Sequence, residues 1–229
     1  MNASKQTSAV LFDVDGTLVD STYHHGLSWH RAFAAQGITL PMSRLHRAIG
    51  MGGDKLVAHV AGEEIERRHG DELRDAWRDE YLSLRREVQP LPGAAELVRA
   101  LDRDGHRIAL ASSGDPQFAR EAVELLGIGD VVELLTTSDD VDASKPEPDL
   151  VEETLRRLGD VDRAVLVGDT VYDVEAAARA GIGCVGLLSG GFGRAELDDA
   201  GALTVVDHPE DLLEASWSDL LGSPPPQVT

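Results

Sequence analysis

Cysteine is almost missing from this chain: there is one in 229 residues. That count excludes an intramolecular disulfide and any zinc site built on clustered thiolates, and a reducing compartment is the simplest setting for it. Basic residues are also few, 21 Lys and Arg against 41 Asp and Glu, which leaves a formal net charge of -20. A field of that sign repels phosphate backbones and anionic headgroups alike, so nucleic acid and membrane surfaces are set aside as partners. No apolar run approaches the roughly 18 to 20 residues that a spanning helix needs. The opening stretch, Met1 to Thr17, holds one short apolar run interrupted by Asp13 and no cleavable signal pattern. A soluble, cytoplasmic protein is expected.

What the chain does contain fits an ordinary globular fold. Hydrophobic residues at 42 % and charged residues at 27 % set aside disordered, collagen-like and coiled-coil readings. At roughly 150 residues per domain the length allows one large domain or a core with a smaller insert. Apolar runs of strand length recur at Ala9 to Val14, Arg107 to Ser112, Val131 to Thr137, Ala164 to Gly168, Gly183 to Leu188 and Leu203 to Val206. Runs this apolar fit strands covered on both faces. Helical segments alternate with them: Asp115-Pro116 opens one that Gly127 closes, Pro146 to Pro148 lead into another ending near Gly159, and Gly181 follows a third. The alternation predicts an α/β fold with a doubly wound parallel sheet. From Ser21 to Glu87 there is only helical periodicity with charged faces, and Pro90 and Pro92 then restrict the backbone. The expected organisation is therefore a core of residues 1–20 and 88–229 with an inserted all-helical cap at 21–87. The tail from Gly222, with Pro224-Pro225-Pro226, is expected to fray.

In an open parallel sheet, function gathers at the carboxyl ends of the strands. The first run ends in Asp13-Val14-Asp15-Gly16-Thr17, the second in Ser112-Ser113-Gly114, a later loop carries Lys145-Pro146, and another run ends in Gly168-Asp169-Thr170-Val171-Tyr172-Asp173. Side chains two apart on an extended segment share a face, so Asp13 and Asp15 can point the same way. Asp169 and Asp173, four apart across a strand-to-helix turn, can face one point. Four converging carboxylates need a cation to stay ionised in a cleft, and hard oxygen ligands suit Mg²⁺. The plainer reading, that each aspartate caps a turn or helix, is the usual role of Asp beside Gly. Against it stands the coincidence of all four with a lysine and a hydroxyl residue at other strand ends.

These residues, in this order, resemble the four motifs of the haloacid dehalogenase superfamily, most of whose members are Mg²⁺-dependent phosphatases. Leu91-Pro92-Gly93 before a helix, and a helical insert straight after the first motif, resemble its phosphoglycolate phosphatase and beta-phosphoglucomutase branch. The resemblance implies a Rossmann-like core acting on a small phosphorylated metabolite. It implies Asp13 as nucleophile forming an aspartyl-phosphate, and Asp15 as acid to the leaving alkoxide and then base to water. It implies Mg²⁺ held by Asp13, Asp169 and the Asp15 carbonyl, with Asp173 direct or through water. Ser112, Ser113 and Gly114 would hold the transferring oxygens, and Lys145 would offset charge. True haloacid dehalogenases and phosphonoacetaldehyde hydrolases lack an acid at the place of Asp15, which sets both apart.

The glycine-rich stretch Ile49 to Lys55 stands where this branch carries a cap loop facing the active site, which makes Gly52, Gly53 and Lys55 candidate substrate contacts. Arg44, Arg47 and Lys55 flank it as basic residues for an anion. Mutases of the branch usually place an arginine about where Gly53 stands, so a phosphosugar mutase is the alternative rather than the first reading. His25 matches a histidine common in the mutase branch, with hinge packing as its other role; His24 and Trp29 share its helix. Ser189 to Gly193 is a flexible loop or a cleft wall, and Cys184 is packing. A phospho-acceptor signalling module, about half this long and without an insert, and a binding protein without catalysis are the non-enzymatic alternatives. The assembly is expected to be a monomer or homodimer.

Overall fold

A computed structural model describes residues 6–223. Six strands form a single sheet: β1 (Ser8–Phe12), β2 (Arg107–Ala111), β3 (Leu134–Thr136), β4 (Arg163–Gly168), β5 (Gly183–Leu187) and β6 (Thr204–Val206). All pairings are parallel, in the order β3-β2-β1-β4-β5-β6. The chain winds from β1 to one side through β2 and β3, then crosses to the other through β4, β5 and β6. The reversal falls between β1 and β4, and at such a switch point a crevice opens at the carboxyl ends of the strands. Among the described residues, the strands lie within the expected apolar runs except for Ser8 and Arg163, which begin β1 and β4 one residue earlier. The third run overshoots most: Val131 and Val132 donate to the Ile128 carbonyl in a turn, and only 134–136 pair with β2. Apolarity marks burial there, not a strand.

Between β1 and β2 come α1 (Thr22–Ala35), α2 (Met42–His46), α3 (Gly53–Ala61), α4 (Glu63–Leu84) and, after Gly93, α5 (Ala94–Arg103). The later connections carry α6 (Pro116–Leu126), α7 (Asp149–Leu158), α8 (Val171–Arg179), α9 (Arg194–Ala200) and α10 (Trp217–Leu220). The expected boundary of α6 is met by chemistry: the Asp115 side chain accepts from Gln117 N at its start, Pro116 follows, and Gly127 closes it in the left-handed conformation.

Alternation along β1 splits the core in two. Val10 and Phe12 pack with Leu97 and Leu101 of α5 and Phe118 of α6, while Ala9 and Leu11 pack with Val151 of α7 and Val174 of α8. Cys184 is buried in the second cluster, as expected. The helices α1 to α4 enclose a cluster of their own, including Trp29, Phe33, Leu45, Leu56 and Leu73. Two chain crossings tie this segment to the sheet. Asp20 N donates to Gln89 O at 2.8 Å and Leu91 N to Leu18 O at 2.9 Å, so the outgoing and returning segments lie side by side. Residues 224–229 of the tail lie outside the described residues.

Candidate active site

The pairing with β4 continues one residue beyond the end of β1, where Asp13 N donates to Val167 O at 2.9 Å. Asp13 thereby stands beside the start of the Gly168-Asp169 turn. One carboxylate oxygen from each of Asp13, Asp169 and Asp173 lies within 4.8 Å of the others, and all three residues are buried. Lys145 enters from the loop after β3 and is 1 % exposed. Its Nζ is 2.5 Å from Asp13 Oδ1 and 2.7 Å from Asp173 Oδ1. Asp173 also caps α8, since its Oδ2 accepts from Thr170 N at 3.1 Å and Thr170 Oγ1 at 2.6 Å. The capping contacts and the Lys145 contact thus belong to different oxygens of one carboxylate. Asp169 Oδ1 accepts from Thr17 Oγ1 at 2.8 Å, and its Oδ2 is buried without a hydrogen-bond partner among the described residues. Gly16, with φ of 80°, and Gly190 approach so closely that a Cβ at either would collide with the Asp169 carboxylate.

Three buried carboxylates facing one ammonium leave a surplus of negative charge. Burial pushes the Asp13 carboxyl up to about 7, with Lys145 pulling against it and Asp173 adding to it. Asp169 is pushed well above the usual carboxylate range by burial and then by Asp13 and Asp173. Burial opposes the Lys145 charge, but Asp13 and Asp173 more than offset it and hold the ammonium form. Hard oxygen donors at this spacing, one of them unpartnered, fit a divalent cation such as Mg²⁺.

The Asp15 side chain stands apart from that cluster. Its Oδ1 accepts from Ser21 Oγ at 2.6 Å and lies 2.9 Å from His25 Nε2. Burial works against the charge, yet His25 and Ser21 hold this carboxyl below its ordinary range. The His25 ring stacks on Tyr81, centroids 4.0 Å apart and planes 6° from parallel, with Trp77 at 5.6 Å. Ser21 and His25 are one helical turn apart, which is why both reach the same oxygen. Beside Asp15, Ser112 is buried and its Oγ accepts from Gly114 N at 3.0 Å. Ser113 Oγ is buried and has no partner among the described residues.

Asp13, Asp15, Ser113 and Gly114 line a cavity of about 640 Å³, whose other wall includes Trp29, Gly53, Arg74 and Trp77. Ser112, Lys145, Asp169 and Asp173 are not among its lining residues. The cap-loop candidates divide. Gly53 lines the cavity, whereas Gly52 N donates to Ser144 Oγ at 3.0 Å. Lys55 ion-pairs with Glu147 at 3.0 Å, Arg47 with Glu196 at 2.5 Å, and Arg44 is exposed, so none of the three expected basic residues lines the cavity. The arginines that do are Arg74 and Arg78 on α4, which sequence reading missed. Arg74 donates to Gly53 O at 3.0 Å and pairs with Glu66 at 2.9 Å and Asp71 at 2.8 Å. Arg78 pairs with Asp115 and donates to Gln117 Oε1 at 2.6 Å. The signal available was their helical spacing with Trp77 and Tyr81. The loop at 189–193 lies against the first motif, with Ser189 Oγ donating to Gly16 O at 2.5 Å and His46 Nε2 contacting Gly190 O at 2.8 Å.

A doubly wound parallel sheet with an acidic cluster and a buried lysine at its switch point defines an α/β enzyme of the Rossmann-like kind. The chain belongs to the haloacid dehalogenase-like hydrolase family, whose model matches residues 7–181. Within it the chain falls in the phosphoglycolate phosphatase and beta-phosphoglucomutase branch. It is 32 % identical over 223 residues to the phosphoglycolate phosphatase of Yersinia pseudotuberculosis, covering 95 % of this chain and 93 % of that protein. It is 29 % identical over 213 residues to the validoxylamine A 7'-phosphate phosphatase of Streptomyces hygroscopicus subsp. limoneus, covering 90 % and 95 %. Among solved structures, a hydrolase from Pseudomonas syringae superposes with a TM-score of 0.87 at 35 % identity, covering 95 % of this chain and all of that one.

Proposed function

We propose that the chain is a Mg²⁺-dependent phosphatase that hydrolyses a small phosphorylated metabolite through an aspartyl-phosphate on Asp13. Residues 1–20 and 88–229 form the catalytic core, and 21–87 the cap that closes the cavity from above. The observation that carries this reading is the position of Asp13, whose carboxylate pairs with Lys145 at 2.5 Å, belongs to the acidic cluster and lines the cavity. Asp13, Asp169, Asp173 and the Asp15 carbonyl would hold the cation. When bound, Mg²⁺ offsets the charge of the cluster and of the transferring phosphoryl oxygens.

In the first half-reaction an Asp13 oxygen bonds to phosphorus as the ester P–O bond breaks, and the protonated form of Asp15, which His25 and Ser21 disfavour in the free chain, gives its proton to the departing alkoxide. In the second, Asp15 takes a proton from water as the water oxygen bonds to phosphorus, the Asp13–phosphorus bond breaks, and inorganic phosphate leaves. His25 and Ser21 occupy Asp15 Oδ1, which leaves Oδ2 for proton transfer. Ser113 lines the cavity, its Oγ has no partner among the described residues, and it would donate to a phosphoryl oxygen. Lys145 steadies the orientation of Asp13 and offsets its charge.

The mutase alternative gains no support, because the arginine that reaches Gly53 comes from α4 with its charge taken by Glu66 and Asp71. Phosphate release from p-nitrophenyl phosphate tests the proposal: turnover is expected to stop in chelator and return with Mg²⁺. Undiminished hydrolysis in chelator would overturn the metal-dependent scheme.

A further inference from the structure

We propose that the cavity selects phosphate esters whose leaving group carries no negative charge, and that it favours an amine-bearing polyol over neutral or carboxylated counterparts. This rests on the phosphatase reading above and adds a substrate class to it. The charges of the two lining arginines are already taken within the protein: Arg74 by Glu66 and Asp71, Arg78 by Asp115. Neither has a full charge to offer a second anion. Three lining acids, Asp75 on α4 and Asp139 and Asp142 in the loop after β3, have no ion-pair partner among the described residues. The part of the cavity beyond Asp13 is therefore electronegative from both the helical and the sheet side, and a cation there is attracted while a carboxylate or second phosphate is repelled.

The remaining wall describes the rest of the ligand. Trp29 and Trp77 both line the cavity and stack on each other, centroids 5.4 Å apart and planes 17° from parallel. Trp77 Nε1 is buried with no partner among the described residues. Ile49, Met51 and Leu56 add apolar surface. A volume of about 640 Å³ is ample for a ring-sized leaving group. Apolar and aromatic surface and unpaired carboxylates together match a polyol ring bearing an ammonium group.

The test compares kcat/KM for glucosamine 6-phosphate, glucose 6-phosphate and 6-phosphogluconate in saturating Mg²⁺, with p-nitrophenyl phosphate alongside. Each step down that series is expected to lose about fivefold, and the amine-to-neutral ratio is expected to fall towards one in Asp75→Asn/Asp142→Asn and at high salt. An equal or reversed ranking, or a ratio unmoved by both the variant and salt, overturns the inference. No hydrolysis of any ester, p-nitrophenyl phosphate included, would instead remove the phosphatase reading beneath it.

Discussion

Replacing Asp169 by Asn is expected to stabilise the metal-free protein while removing its response to Mg²⁺. Asp169 sits within 4.8 Å of carboxylate oxygens of Asp13 and Asp173. At an effective dielectric of about 20, two unit charges at that distance repel by about 3.5 kcal/mol, and Lys145 relieves part of this by pairing with both neighbours. Protonation sets the ceiling. From an ordinary pKa of 3.8, keeping Asp169 neutral at pH 7.5 costs about 5 kcal/mol. Because the folded pKa is raised, the folded chain retains a proton that the unfolded chain loses, so stability falls as pH rises above 3.8. The amide escapes that penalty, keeps an acceptor for Thr17 Oγ1 and supplies a donor where Asp169 Oδ2 has no partner. In chelator at pH 7.5 the variant is expected to gain about 2–5 kcal/mol, or about 5–15 °C in Tm, and at pH 4.5 the gain should fall to about 1 kcal/mol or less. With Mg²⁺ at a hundred times its Kd the wild type should gain about 2.7 kcal/mol and the variant almost nothing. Thermal melts in the two buffers read both effects. A variant no more stable than wild type in chelator, or equal Mg²⁺ stabilisation of both, would mean that Asp169 neither carries the strain of the cluster nor holds the cation.

His25→Leu removes the group that holds Asp15 low, so Asp15 should keep the proton it gives in the first half-reaction to higher pH and the alkaline limb of the kcat/KM profile should move up; an unmoved profile would return His25 to a packing role. Lys55→Ala breaks a partly exposed pair with Glu147, so chemical denaturation should register a loss of about 0.2–1 kcal/mol. KM should stay within about twofold for every ester, and an increase confined to the preferred substrate would place Lys55 in the binding site after all. With a net charge of -20, kcat/KM for an anionic ester should rise or hold between low and physiological ionic strength; a steep fall would mean that a positive field dominates encounter.

The sheet and the acidic cluster were legible for one reason. Strands covered on both faces read as continuous apolar runs, and at the carboxyl end of such a strand the next residues belong to the crevice. Asp13 after β1, Ser112 after β2 and Asp169 after β4 follow by position alone. Lys145 was legible as a residue type in an expected loop, but its burial between Asp13 and Asp173 depends on how that loop folds back. The cavity wall was the least legible. α4 carries charge on most of its surface, so its pattern does not reveal that Arg74 and Arg78 face the cavity while Arg67 and Arg68 are exposed. The surroundings of Lys55 were hidden for a related reason: a basic residue beside a glycine loop faces whichever acid the opposite surface offers, and here that is Glu147.

In the proposed reaction Asp13 attacks phosphorus with the help of a bound cation. The most direct measurement is phosphate release from p-nitrophenyl phosphate by wild type and Asp13→Asn in the same Mg²⁺ buffer, with circular dichroism on both. The amide is nearly isosteric but is no nucleophile, so the variant should keep its helical signal and lose turnover by at least about a thousandfold. A folded Asp13→Asn that retains more than about a few per cent of wild-type activity would contradict the assignment.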